Sequence, residues 1–349
     1  MSINFEKKKI IFFINTITSY QDDFFTELNK YLDVKIFYYS KLYKNYNFKI
    51  KKKKNYYFLK KTKKNIIEFL ELTNPDFIVM GGYRLSGTNE IIKFCKKRNK
   101  KYFFWLERLN QKNILKFRLV SFLIKKKIKS CSGVLAVGQE AEKFYKKFNR
   151  NVLNLPYSIK INNCSRRVYF DSNKINFIFV GQIIKRKGID LILDVFDLLE
   201  NSEKKKIILR IIGNGILQNK INSLKKKNNF IKYSKFKNKE DLVKIYAKSD
   251  VFIFPSRFDG WGVAALEAMA SAEFLIISKY VGMKEILETK NKITEASIQE
   301  LLKAVKEVIK KKLIIKKVGR TNQKTLKKSL SNIQNSTKHL VNFLNKINQ

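Results

Sequence analysis

The sequence predicts an α/β protein made of two parallel-sheet halves followed by a helical tail. Three observations predict it. Short apolar runs of strand length alternate with longer amphipathic stretches. That series restarts near Ile175, after a polar and aperiodic stretch. Beyond Thr294 the pattern is helical throughout. The 349 residues exceed one ordinary core and suit two domains of roughly 150 to 190 residues. An apolar content of 44% and an aromatic content of 13% supply those cores, so disorder is not the default expectation.

In the first half, strands are expected at Lys9–Asn15, Asp33–Tyr38, Asp76–Met80, Lys101–Trp105 and Gly133–Val137. Helical periodicity lies between them, at Gln21–Tyr31, Thr88–Arg98 and Gln139–Phe148. Tyr43–Lys64 is rich in Lys and Tyr and reads as a basic loop with a strand or two. Pro156–Ser172 is polar and carries a Pro-Tyr-Ser turn, so it is the expected linker. The second series has strands at Asn176–Val180, Lys206–Ile212, Asp250–Phe254 and Phe274–Ser278. Its helices are Gly188–Leu199, Gly215–Lys225, Lys239–Ala247 and Gly262–Ser271. The expected division is residues 1–160, 170–312 and a helical tail, 313–349, that returns to the first domain. Two such halves place a ligand cleft between the C-terminal ends of two sheets.

Lys and Arg number 74 against 29 acidic residues, a net charge of +45. Heavy use of Lys, Asn, Ile, Phe and Tyr, with 3 Pro and 2 Trp, matches the codon skew of an A/T-rich genome. The charge has that origin or a functional one; either way it attracts phosphate-bearing partners. Cys95, Cys131 and Cys164 are far apart and form no CxxC pair, which indicates neither a disulfide framework nor a zinc site. The apolar run at residues 10–14 is shorter than a signal sequence and reads as a buried strand. No apolar run reaches the roughly 20 residues that cross a bilayer. A cytoplasmic location follows, and the sequons at Asn163 and Asn335 read as chance matches.

Three segments can carry chemistry. Residues 255–270 follow an apolar strand and open an Ala-rich helix. There Gly260 and Gly262, flanking Trp261, let backbone amides approach a ligand, and a helix N-terminus favours negative charge. Asp259 and Glu267 sit in the loop and two turns into the helix, where carboxylates can accept from vicinal hydroxyls. The plainer alternative is a helix capped by Asp259, with Glu267 paired to a lysine. In residues 177–190 a strand ends at Gly181, and Gln182, Lys185, Arg186 and Lys187 precede a helix near Gly188. Cations at a helix entry suit a diphosphate. The third segment is a Gly-x-Gly turn, Gly213 to Gly215, after a strand; its clearance suits a base or ribose.

In this order and spacing the segments resemble the family 4 retaining glycosyltransferases, which have the GT-B fold of two Rossmann-like domains facing across a cleft. Gly181, Lys187 and Gly188 match the family's phosphate loop, and Asp259 and Glu267 its acidic-x7-acidic signature. The resemblance implies that Lys187 holds the donor diphosphate and stabilises the leaving nucleotide. It implies that Glu267 binds the ribose, and that Asp259 with the amides of Gly260 to Gly262 holds the transferred sugar. It also implies a nucleotide-diphosphate sugar as donor substrate, with no cofactor and no metal.

The chain departs from that pattern. Gln182 replaces the loop arginine, whose charge Arg186 can supply. A turn Gly and a Pro are lost after Met269, and the Gly-rich stretch that follows the turn at Val281–Glu285 is missing. The family's first-domain histidine has no counterpart, since the sole histidine is His339; Glu107 is the candidate for that place. The expected reaction moves a hexose to a hydroxyl acceptor, a cell-surface polysaccharide or lipid-linked glycan precursor. Basic runs at Lys51–Lys54, Lys60–Lys64 and Lys125–Lys129 suit an anionic membrane surface, and hence peripheral attachment to the inner face of the cytoplasmic membrane. The helix near Lys112–Lys129 mixes Leu, Phe and Ile with cations; a core-facing helix with a basic outer face is the alternative. No nucleic-acid reading motif occurs. A catalytically impaired scaffold is the remaining alternative, motivated by the departures.

Overall fold

The computed structural model describes residues 7–40, 53–58, 63–110, 114–161, 174–236, 238–288 and 290–348. Cys164, Asn163, Lys51, Lys60, Lys112 and most of the expected linker lie outside the described residues. Two compact units form: one runs to Tyr157 and adds the residues from Ile333 onward, and the other runs from Ser158 to Asn332.

Unit 1 is laid down as β1 (Lys9–Ile14), α1 (Ser19–Leu28), β2 (Asp33–Tyr38), β3 (Tyr56–Phe58), α2 (Lys63–Thr73), β4 (Phe77–Met80), α3 (Thr88–Lys97), β5 (Lys101–Glu107), α4 (Ile114–Ser130), β6 (Gly133–Val137), α5 (Gln139–Tyr145) and β7 (Val152–Asn154). The strands form one parallel sheet in the order β3-β2-β1-β4-β5-β6-β7. Parallel strands are covered by helices on both faces, so they read as unbroken apolar runs rather than alternating ones. β1 (KIIFFI) and β4 (FIVM) show this, with Ile10 to Phe13 and Phe77 to Met80 fully buried.

Unit 2 follows as β8 (Ile175–Val180), α6 (Ile189–Asp197), α7 (Asn201–Lys204), β9 (Ile207–Ile212), α8 (Gln218–Lys227), β10 (Ile231–Ser234), α9 (Lys239–Tyr246), β11 (Val251–Phe254), α10 (Val263–Ala270), β12 (Phe274–Ser278), β13 (Lys292–Thr294), α11 (Ile298–Lys310) and α12 (Lys312–Lys328). Its parallel order is β10-β9-β8-β11-β12-β13. The chain leaves β8 towards one edge, returns at β11 and proceeds to the other edge. The reversal of order therefore lies between β8 and β11, the position at which open sheets of this kind place a ligand crevice, beyond the C-terminal ends of the strands.

Strands β3, β7, β10 and β13 close the four sheet edges and span only three or four residues each. Short edges deny a template to a foreign strand. They also carry little apolar signal, which is why β7, β10 and β13 are not apparent in the sequence. The final helix, α13 (Ile333–Asn348), joins unit 1, packing on α1 and placing Phe343 6.1 Å from Phe103. Helix α12, grouped with the tail in the sequence reading, belongs to unit 2. A Cβ on its Gly319 would lie 1.9 Å from the Ala272 carbonyl oxygen, so only glycine lets the helix approach this closely. The buried Asn322 then donates to the Glu273 carbonyl at 2.8 Å and exchanges hydrogen bonds with the Asn291 side chain.

Candidate functional site

The loops after β8 and β11 meet at the reversal point of the second sheet. The first makes a 3-10 turn at Lys185–Lys187 and enters α6 through Gly188, whose φ is +77°. A Cβ at 188 would lie 2.1 Å from the Pro255 carbonyl oxygen, so the two loops touch backbone to backbone. The contact is fixed by hydrogen bonds. The Arg257 amide donates to the Arg186 carbonyl at 2.8 Å, and the buried Ser256 hydroxyl donates to the same oxygen at 3.0 Å. Arg186 returns a bond from Nη1 to the Phe258 carbonyl at 2.8 Å. Arg257 makes a bidentate pair with Asp190, both bonds 2.8 Å, tying the second loop to the first turn of α6. Gly188→Ala combines a backbone clash with a left-handed φ. It is expected to cost on the order of 2 kcal/mol or more and to lower the melting temperature of the full chain in calorimetry. An unchanged melting temperature would show that the loops can separate freely.

Across this junction Lys187 Nζ is paired with Asp259 Oδ2. The ammonium also sits 5.2 Å from the centre of the Phe254 ring. The two side chains are 15% and 12% exposed, so the pair is largely withdrawn from water and from salt screening. Asp259 is held by its backbone: it bridges Val281, and its amide donates to the Tyr280 carbonyl at 3.1 Å. Its Oδ1 is 3.3 Å from the amide of Trp261, whose indole is 1% exposed. Indole Nε1 finds no hydrogen-bond partner among the described residues. Gly262, not Asp259, is the N-cap of α10, so the capping role that the sequence offers Asp259 falls to Gly262. Glu267 lies in the second turn of α10, with the buried Tyr246 hydroxyl 3.2 Å from its Oε2 and 3.2 Å from the Ala264 carbonyl.

Gly181, Gln182, Arg186, Lys187, Asp259, Gly260, Trp261 and Gly262 thus share one pair of touching loops. Gln182 Oε1 lies 3.5 Å from Arg186 Nη2, so the residue that departs from the family pattern stands beside the cation that can supply its charge. Gly213 is also here, with φ +150°, but the space left by its missing side chain is taken by the Gly181 carbonyl oxygen, 1.8 Å from where a Cβ would be. The clearance read as room for a ligand therefore serves loop packing. Glu107 is the last residue of β5 in unit 1, and its carbonyl accepts from the Tyr145 hydroxyl at 3.0 Å. His339 lies on α13, also in unit 1, and burial pushes its imidazole below the usual value against the opposing pull of Glu142. Arg257, Asp190, Ser256 and Tyr246 do not emerge from sequence reasoning. Arg257 and Asp190 lie inside the two conspicuous segments, but partners 67 positions apart leave no spacing signal.

The family model for glycosyl transferases group 1 matches residues 162–336, half of the chain and both loops. An uncharacterised glycosyltransferase of Methanocaldococcus jannaschii is 28% identical over 129 residues, 36% of this chain and 35% of that protein. An uncharacterised 41.2 kDa protein in the cps region of Klebsiella pneumoniae is 28% identical over 203 residues, 55% of this chain and 50% of that protein. The chain thus spans about a third to a half of the length of these curated relatives. Among solved structures, HepE of Anabaena in complex with UDP has a TM-score of 0.76 at 12% identity, covering 97% of this chain and 100% of that one; HepE with UDP-glucose has a TM-score of 0.75. At that identity the likeness speaks for the fold, which is the GT-B fold of two parallel-sheet α/β domains. With the sheet order, the paired loops and the matched half of the chain in agreement, the protein is a member of the glycosyl transferases group 1 family.

Proposed function

We propose that the chain transfers a hexose, with retention, from a nucleotide-diphosphate sugar to a hydroxyl acceptor. The observation that carries this reading is the Lys187–Asp259 pair at the reversal point of the second sheet, with Arg186 fixed beside it. A diphosphate entering there meets two cations and the start of α6, and displaces Asp259 from Lys187. The freed carboxylate then faces the sugar hydroxyls, while Glu267, held by Tyr246, accepts from the ribose. HepE, whose structures contain UDP and UDP-glucose, supports a uridine nucleotide as the first donor to try.

In the proposed step the bond between the anomeric carbon and the phosphate oxygen breaks, and its electron pair leaves with the nucleoside diphosphate. Lys187 and Arg186 stabilise the charge that develops on that oxygen, the electrostatic role that usually dominates such catalysis. The acceptor oxygen bonds to the anomeric carbon on the same face, and its proton passes to the departing phosphate oxygen. No side-chain base is needed for that balance, which suits a chain whose sole histidine lies on α13. Two fixed cations do the neutralising work of a metal, so none is required in this reading. A cell-surface polysaccharide or lipid-linked glycan precursor is the proposed acceptor, and Glu107 the first-domain group proposed to act near it.

A thermal-shift panel of UDP- and GDP-sugars on the full chain tests the donor. A ligand present at a hundred times its dissociation constant adds about 2.7 kcal/mol to stability. One nucleotide series is expected to raise the melting temperature by several degrees, and the free diphosphate to raise it less. If no nucleotide, with or without a sugar, shifts the transition, the donor site is misassigned.

A further inference from the structure

We propose that helix α4 docks the protein onto the surface of an anionic lipid bilayer. Leu115, Leu119, Phe122 and Leu123 would enter the interface, and Arg118, Lys125, Lys126 and Lys129 would meet headgroup phosphates. The helix has two faces. Ile124 and Ile128 are fully buried, and Phe117 packs on Phe144 with ring centres 5.7 Å apart, so that side faces the core. Lys127 also turns inward, donating to the Tyr83 carbonyl at 3.1 Å. The opposite side carries Leu115, Leu119, Phe122 and Leu123, which are 80%, 59%, 75% and 47% exposed. Their spacing of i, i+4, i+7 and i+8 makes them one stripe. A contiguous apolar stripe in water is unfavourable and marks a surface that something covers.

The charge around the stripe selects what covers it. Arg118, Lys125, Lys126 and Lys129 are exposed, and the sequence holds no acidic residue between Glu107 and Glu140. A second copy of the chain would bring two such basic helices together, a like-charge juxtaposition that opposes association. A nucleic acid would satisfy the cations and leave the leucines in water. A bilayer with anionic lipid satisfies both: leucine and phenylalanine enter the headgroup boundary, and lysines extend from the same helix to phosphates. No helix among the described residues is long and apolar enough to cross a membrane, so α4 lies along the surface.

Cosedimentation of the full chain with vesicles tests this. No nucleotide sugar is added, so the outcome does not depend on the proposed transfer reaction. Wild-type protein is expected to bind vesicles of mixed phosphatidylglycerol and phosphatidylcholine, and to bind pure phosphatidylcholine far less. Leu119→Ser/Phe122→Ser is expected to weaken binding on the order of a hundredfold at an unchanged melting temperature, because both side chains are exposed. Lys125→Gln/Lys126→Gln, which spares the apolar stripe, is expected to weaken it by about fivefold per lysine. Absence of wild-type binding to the anionic vesicles overturns the proposal, as does equal binding by wild type and Leu119→Ser/Phe122→Ser. A dimer in analytical ultracentrifugation that Leu119→Ser/Phe122→Ser dissociates, without vesicle binding by the wild type, assigns the stripe to a second copy and overturns it too.

Discussion

Lys187→Ala is expected to lower turnover of the nucleotide sugar by a factor on the order of a hundred or more. The reason is positional. Lys187 is one of three adjacent cations in a chain with 74, so its charge alone distinguishes nothing. It differs from the others in being 15% exposed, held over the Phe254 ring and directed at Asp259 across the junction of two loops. A cation held in a partly dry site stabilises a developing phosphate charge far more than one in bulk water. The substitution also strands the Asp259 carboxylate, which repels an incoming diphosphate, so affinity for the free nucleoside diphosphate falls as well. Lys187→Arg retains the charge but not the point geometry, and intermediate turnover is expected from it. Steady-state release of nucleoside diphosphate measures these effects, with the melting temperature of each variant as the control for folding. Near-normal turnover in Lys187→Ala would remove the residue from the reaction.

How much of this was legible beforehand follows from which interactions are local. The buried strands were, because a parallel strand covered on both faces is apolar along its length, as Phe77–Met80 and Gly133–Val137 are. The two loops of the candidate site were, because a strand, a glycine-bearing turn and a helix follow one another in sequence. Short edge strands such as Ile231–Ser234 were not, since they carry little apolar burial and are held by a backbone ladder to β9. Nor was the destination of helix α12, whose register depends on Gly319 meeting Ala272 and Asn322 meeting Asn291. At the site, the residue types were legible and their pairing was not. Asp259 and Glu267 stood out by spacing, whereas the bond from Lys187 to Asp259 and the clamp of Arg257 on Asp190 join segments about seventy residues apart. Gly213 carries the converse lesson: glycine announces a close approach, but not whether ligand or backbone makes it.

Asp259→Asn is expected to move two measurable quantities in opposite directions. In the proposed resting site the Asp259 carboxylate occupies the cation that the diphosphate needs, so it competes with the ligand's phosphates while awaiting the ligand's sugar. Asparagine keeps the shape and the approach of the Trp261 amide, removes the charge and releases Lys187. Free nucleoside diphosphate should then bind about tenfold more tightly, a gain of about 1.4 kcal/mol for a partly buried pair no longer broken on binding. Transfer should nevertheless fall on the order of thirtyfold or more, because a neutral amide accepts more weakly from sugar hydroxyls than a carboxylate does. Lys187→Ala has no such split: it weakens both. In the double variant the losses in turnover should be far from additive, since each single change already dismantles the same pair. Calorimetric titration with the free diphosphate, set beside turnover of the intact donor, reads both signs. If Asp259→Asn binds the diphosphate no better than wild type, the pair is a structural clasp and not the resting partner of the donor's phosphates.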